Sequence, residues 1–269
     1  MNIKFKFDLR NIWLILAAFM LTFVPLKICA AFFDMPFVDS PIFVGIFGTL
    51  VVAFMVLMYF MDIRMKNMSI NKNYGLGIVS LMAAVSFFMC ISAYFNDNSR
   101  YDFEWEPLFM SIFSILCCVT FVLTAITFFT GKNILSKVVF FNYCPVLWFG
   151  LAMILFLSIY NNNADPCEVS LVAVMALFLV YNTQVFSTAS KSNISKLLFV
   201  FGIPCVILSF AHCVPVILGY IGGGSVTDVA ISSSMVEFSL GLYAFLILLD
   251  VYGQIGKSEE PEVRSVTID

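Results

Sequence analysis

Charge is scarce in this chain: 12% of its 269 residues are Asp, Glu, Lys or Arg, against 61% that are hydrophobic. Soluble domains carry roughly 25% charged and about 45–50% apolar residues. A water-soluble globule of this length has a large wetted surface to cover, and 14 basic plus 17 acidic side chains are too few to cover it. Histidine is scarcer still, since the single His212 rules out a multi-histidine metal site. A net charge of -3 without a basic stripe excludes a nucleic-acid-binding module. Catalytic signatures are missing too: there is no HExxH, no GxSxG and no pair of facing aspartates. Gly222, Gly223 and Gly224 lack the Lys-Ser or Lys-Thr that would make them a nucleotide loop. With connections this short no ATPase or kinase domain fits, so neither an enzyme nor a cofactor is expected.

Long apolar runs are what the chain has. A spanning helix needs about 20 mostly apolar residues, because each residue rises ~1.5 Å through a hydrocarbon core of ~30 Å. Eight segments qualify, at residues 12–33, 41–61, 75–95, 108–130, 138–160, 170–190, 197–220 and 235–254, with a short tail over 255–269. Each is continuous and about twice the ~10 residues of a spanning β-strand. The expected fold is therefore an all-α polytopic membrane bundle of eight transmembrane helices in one domain.

The few charges are sorted between alternate loops. Lys4, Lys6, Arg10, Arg64, Lys66, Lys72, Lys132, Lys137, Lys191, Lys196, Lys257 and Arg264 fall on one side, and of the 14 basic residues only Arg100 and Lys27 do not. The other side holds Asp34, Asp39, Asp97, Asp102, Glu104, Glu106, Asp165, Glu168 and Asp228. Cationic loops stay cytoplasmic, so both termini are expected inside the cell membrane. Lys27 interrupts the region where a signal peptide would be cleaved, so the first span is read as retained. The short loops point to a bacterial cytoplasmic membrane.

Lys132, Ser136, Lys137, Val138, Val139, Phe140 and Pro145 recur 59 residues later as Lys191, Ser195, Lys196, Leu197, Leu198, Phe199 and Pro204. Either a helical hairpin is duplicated in parallel, or short basic turns simply resemble one another. In both cases Pro145 and Pro204 remove a backbone donor and free a carbonyl within a span. In lipid that carbonyl must find a partner inside the bundle.

Ionisable groups inside spans are functional candidates because they are costly to bury. Lys27, His212 and Glu237 share a depth in the outer half, and Asp250 sits in the inner half. Against this, Lys27 can snorkel to the headgroups and Asp250 can reach the cytoplasmic surface. Cys205, Ser209, His212 and Cys213 fall at i, i+4, i+7 and i+8, one helical face. The methionines Met55, Met58, Met61, Met65 and Met68 lie toward the other side, so no metal site is expected. Asn142, Asn182 and Gln184 form a polar set in the inner half that either bonds between helices or lines a path. Outside, the rings and acids of Tyr101 to Pro107 read as an interfacial anchor, and Cys167 as a loop thiol. The sequence thus supports a small permease or solute-binding membrane protein without an energy-coupling domain. The alternative is a non-transporting subunit or sensor that packs against a membrane protein partner.

Overall fold

The computed structural model describes residues 9–33, 41–60, 70–98, 105–159, 166–186, 194–223 and 228–258, and the acidic residues of the 99–104 segment lie outside them. Among the described residues there are eight α-helices: α1 (Leu9–Phe33), α2 (Pro41–Phe60), α3 (Tyr74–Asn98), α4 (Trp105–Thr130), α5 (Val139–Ile159), α6 (Pro166–Phe186), α7 (Ile194–Ile221) and α8 (Asp228–Ser258). A 3-10 turn, Leu135–Lys137, precedes α5. Six helices are long and apolar enough to cross a membrane, through Ile12–Ala30, Tyr74–Phe95, Trp105–Thr130, Cys167–Phe186, Lys196–Ile221 and Val229–Gln254. The other two, α2 and α5, carry shorter apolar stretches, Gly45–Phe60 and Val139–Leu155. Several helices overrun the expected spans: α8 starts at Asp228 rather than 235 and continues to Ser258. Hydropathy marks where apolar text stops, whereas a helix stops only where its backbone bonds or caps fail.

Six helices close a ring. Each of α3 to α7 packs on the next helix in the chain, α7 on α8, and α8 back on α3. α1 and α2 lie outside it, both against α7. Enclosed from both sides, α7 is the most buried of the six long spans, which explains a sequence apolar all round. Rings fill the interior: Phe87 stacks on Phe121 at 5.7 Å, and Trp148 meets Phe87 edge-on at 5.4 Å. Tyr243 meets Phe121 edge-on at 5.7 Å. The Trp148 indole N–H donates to the Ser114 hydroxyl at 2.9 Å, so the ring nitrogen is satisfied at depth.

The outward faces are apolar as well. Ile78, Leu81, Met82, Val85, Phe88 and Met89 form an exposed stripe on α3, and Ile112, Ile115, Val119, Val122 and Ile126 another on α4. In water each such side chain would forgo about 1.5–3 kcal/mol of burial. Helical stripes of this kind suit lipid, where no such cost arises.

One end of the bundle carries Lys72, Lys132, Lys137 and Lys196, and is called the basic end below; the other, with Glu106 and Glu168, is the acidic end. Asn73 clasps three helices at the basic end. Its side-chain carbonyl accepts the Leu76 N–H to cap α3 (3.2 Å), its backbone N–H donates to Phe128 of α4 (3.0 Å), and its amide donates to Asp250 of α8 (3.3 Å). Beside it α4 ends on Gly131, whose φ of 70° lets its N–H return to the Thr127 carbonyl at 2.8 Å. Asn133 reaches from the next turn to the Phe186 carbonyl at the end of α6, at 2.8 Å.

Prolines 25, 145, 204 and 215 all sit inside helices. Pro145 leaves the Phe141 carbonyl without its usual donor, and the Thr120 hydroxyl of α4 donates to it at 2.8 Å. Cys167 departs from its expected place in a loop. Pro166 opens α6 at the first helical position, a site proline favours, and this turns Cys167 inward to 6% exposure.

Candidate functional site

Glu237 is the most deeply buried carboxyl described, 3% exposed, on α8 where that helix meets α3 and α7. It can sit there because α7 and α8 approach closely. The Ser209 hydroxyl donates to the Glu237 backbone carbonyl at 2.6 Å. One turn on, Gly241 leaves the room: a Cβ there would overlap the Ser209 hydroxyl oxygen and lie 2.6 Å from the Ser209 Cβ. A second bare position, Gly202, faces Leu248 across the same pair of helices. Helix pairs in lipid commonly associate through such small residues and hydroxyls.

The Glu237 side chain is met by a thiol and faced by an acid. Cys213, one turn beyond Ser209, donates from Sγ to Oε2 at 3.4 Å. Glu168, in the first turn of α6, is the neighbouring charge that acts on it. Cys205 on α7 and Cys90 on α3 lie within electrostatic reach of the Glu237 side chain. Cys205 also contacts the Met175 sulfur of α6 at 3.1 Å. The site is thus a carboxyl with one weak donor described, the Cys213 thiol, about nine residues or ~14 Å along α8 from its acidic-end start.

Lys27 on α1 and His212 on α7 are both half-buried. Glu237, Ser209 and Cys213 come together, and Asp250 stands apart, thirteen residues or ~20 Å further along α8. There Asp250 accepts from Asn73 and, at 2.8 Å, from Gln254, so it serves the basic-end clasp. Asn142 donates to the Leu135 carbonyl at 3.2 Å and pins α5 to the turn before it. Asn182 faces the ring interior and donates to the Tyr243 hydroxyl at 3.3 Å. Gln184, two residues on, is half-buried. Among the described residues no three His, Cys, Asp or Glu side chains converge where a metal ion could sit.

Sequence reasoning missed Tyr243, Gly241 and Glu168 as parts of these sites. Tyr243 lies in an apolar run and reads as filler. The usable signal was the composition of α8, the least apolar of the six long spans.

Long apolar helices and a largely apolar outward surface define a multi-pass helical membrane protein. The chain matches no protein-family model, no curated protein and no solved structure.

Proposed function

We propose that the protein is a small permease or solute-binding protein of eight spans, with both termini in the cytoplasm of a bacterial cell. The observation that carries this reading is Glu237. A carboxyl held inside the bundle by a thiol and a backbone-bonded hydroxyl, with Glu168 toward the acidic end, has more acceptor capacity than its described partners fill. Such groups in membranes mark solute and ion pathways. On this reading α2 and α5 cross with their polar ends included, and the solute enters from the acidic end, which faces outward by the charge of the loops.

The test is uptake into liposomes of labelled cationic, zwitterionic and neutral small solutes. Accelerated uptake of one class, lost in a Glu237→Gln variant that still purifies as a folded species, is expected. Equal leak from protein-containing and protein-free vesicles across all three classes overturns the permease. A second reading, a non-transporting subunit or sensor, is favoured by the aromatic filling of the ring interior below Glu237. Stoichiometric co-purification of a membrane protein partner would support it.

A further inference from the structure

Between Glu237 and the basic-end clasp, α8 presents a second polar level. Tyr243 is fully buried and Asn182 is 6% exposed, and the Asn182 amide donates to the Tyr243 oxygen at 3.3 Å. Two capacities are then left over. The Asn182 Oδ1 is buried without a hydrogen-bond partner, and among the described residues the Tyr243 hydroxyl proton meets no acceptor. Rotating the amide by 180° lets the Tyr243 hydroxyl donate to Oδ1, but it leaves the NH2 without an acceptor and the Tyr243 oxygen without a donor, so a group that both donates and accepts is called for in either orientation. Leaving such a group unsatisfied costs more than most single contacts return. The walls are rings, with Phe121 of α4 edge-on to Tyr243 and fully buried Phe178 one turn before Asn182.

We propose that Asn182 and Tyr243 form a binding position for one small uncharged group that both donates and accepts, a hydroxyl or a primary amide, with water the smallest such occupant. The donor completes Asn182 Oδ1 and the acceptor takes the Tyr243 proton. An ion is disfavoured, since among the described residues no charged side chain is recorded against either group and a bare charge in an aromatic core carries a large desolvation cost. The position itself stands without the permease; its occupation by a transported solute rests on that reading.

Two measurements separate these statements. In a structure of the protein in lipid nanodiscs, at a resolution that shows ordered water, density is expected within hydrogen-bonding distance of both Asn182 Oδ1 and the Tyr243 oxygen. It should vanish in Asn182→Leu, and in Tyr243→Phe if the leucine variant fails to fold. An empty site in the wild-type protein overturns the proposal. Stopped-flow swelling of proteoliposomes in urea and glycerol gradients then identifies the occupant. Swelling that is faster than in protein-free liposomes and falls about fivefold in Asn182→Leu, the factor one lost hydrogen bond of ~1 kcal/mol supplies, assigns the position to a solute. Density without accelerated swelling assigns it to a fixed water, which sustains the position and removes it from a neutral-solute path.

Discussion

Replacing Gly241 by alanine should damage the protein through one identifiable neighbour. The added Cβ would overlap the Ser209 hydroxyl oxygen and lie 2.6 Å from the Ser209 Cβ, which belongs to a helix and cannot swing aside. Overpacking of this kind costs about 1–3 kcal/mol. The displaced Ser209 would also lose its bond to the Glu237 carbonyl, worth ~1 kcal/mol. Alanine returns up to ~1 kcal/mol of helix propensity over glycine, leaving a net loss of about 1–3 kcal/mol. Unfolding in lipid or detergent, followed by steric trapping or denaturant titration, reads this directly.

The cycle with Ser209 sharpens the test. Ser209→Ala removes the oxygen but keeps the Cβ, so Gly241→Ala should still be costly in that background. In Ser209→Gly both atoms are gone and the same substitution should become neutral or favourable. Gly150 is the control, because a Cβ there meets nothing within 4 Å, and Gly150→Ala should leave stability unchanged or raise it. If Gly241→Ala proves as harmless as Gly150→Ala, or costs the same in all three Ser209 backgrounds, the close approach of α7 and α8 at Glu237 is refuted.

At the basic end, Asn73→Ala removes a cap worth ~1 kcal/mol together with the α3–α8 link, so it should lower the unfolding midpoint further than Gln254→Ala; the reverse order would remove Asn73 from the clasp. Thr120→Val should cost about 1–3 kcal/mol by leaving the Phe141 carbonyl without a donor. In a Pro145→Ala background the backbone N–H is restored, the cost of Thr120→Val should largely disappear, and additive losses would show that the threonine does not serve the proline. Cys167, 6% exposed at the start of α6, should react with an impermeant maleimide far more slowly in the folded protein than in denaturant. Equal rates would place it back in an open loop.

The bundle was legible in the sequence because lipid makes a simple demand: about 20 apolar residues to cross, with charges only where the chain emerges. The Pro145 requirement was legible for the same reason, since a freed carbonyl must be met inside the bundle, though only the structure names Thr120 as the donor. Ser209 and Glu237 could be singled out as residues but not joined. What joins them is Gly241, and an isolated glycine in apolar text has no signal that distinguishes it from Gly150. Asp250 showed how the rule that buried charge means function fails to separate roles. Its partners, Asn73 and Gln254, lie in different parts of the chain, and nothing in the spacing of Asn73 and Asp250 marks them as neighbours. Cys167 was misplaced because Asp165 and Pro166 look like a loop, whereas proline begins a helix as readily as it breaks one.

The polar groups of this bundle are unevenly distributed, and that distribution bears on how a solute could pass. Toward the basic end the contacts are numerous: a helix cap, a backbone link and an amide-to-carboxyl bond converge on Asn73 and Asp250, while Asn133 ties the α4–α5 turn to the end of α6. On the Glu237 side chain they are few, a single thiol donor at 3.4 Å, the Ser209 hydroxyl being committed to the backbone. A carboxyl held by one thiol can exchange that partner for a ligand at little cost, whereas the clasp must lose several bonds at once. A solute arriving from the acidic end would therefore reach Glu237 by local rearrangement, and Tyr243 with Asn182 by displacing aromatic rings. Only release of the Asn73–Asp250 clasp would open the basic end. The same arrangement, with the clasp never released, describes a binding protein that senses one side of the membrane, so the clasp rather than Glu237 is where transport and sensing part.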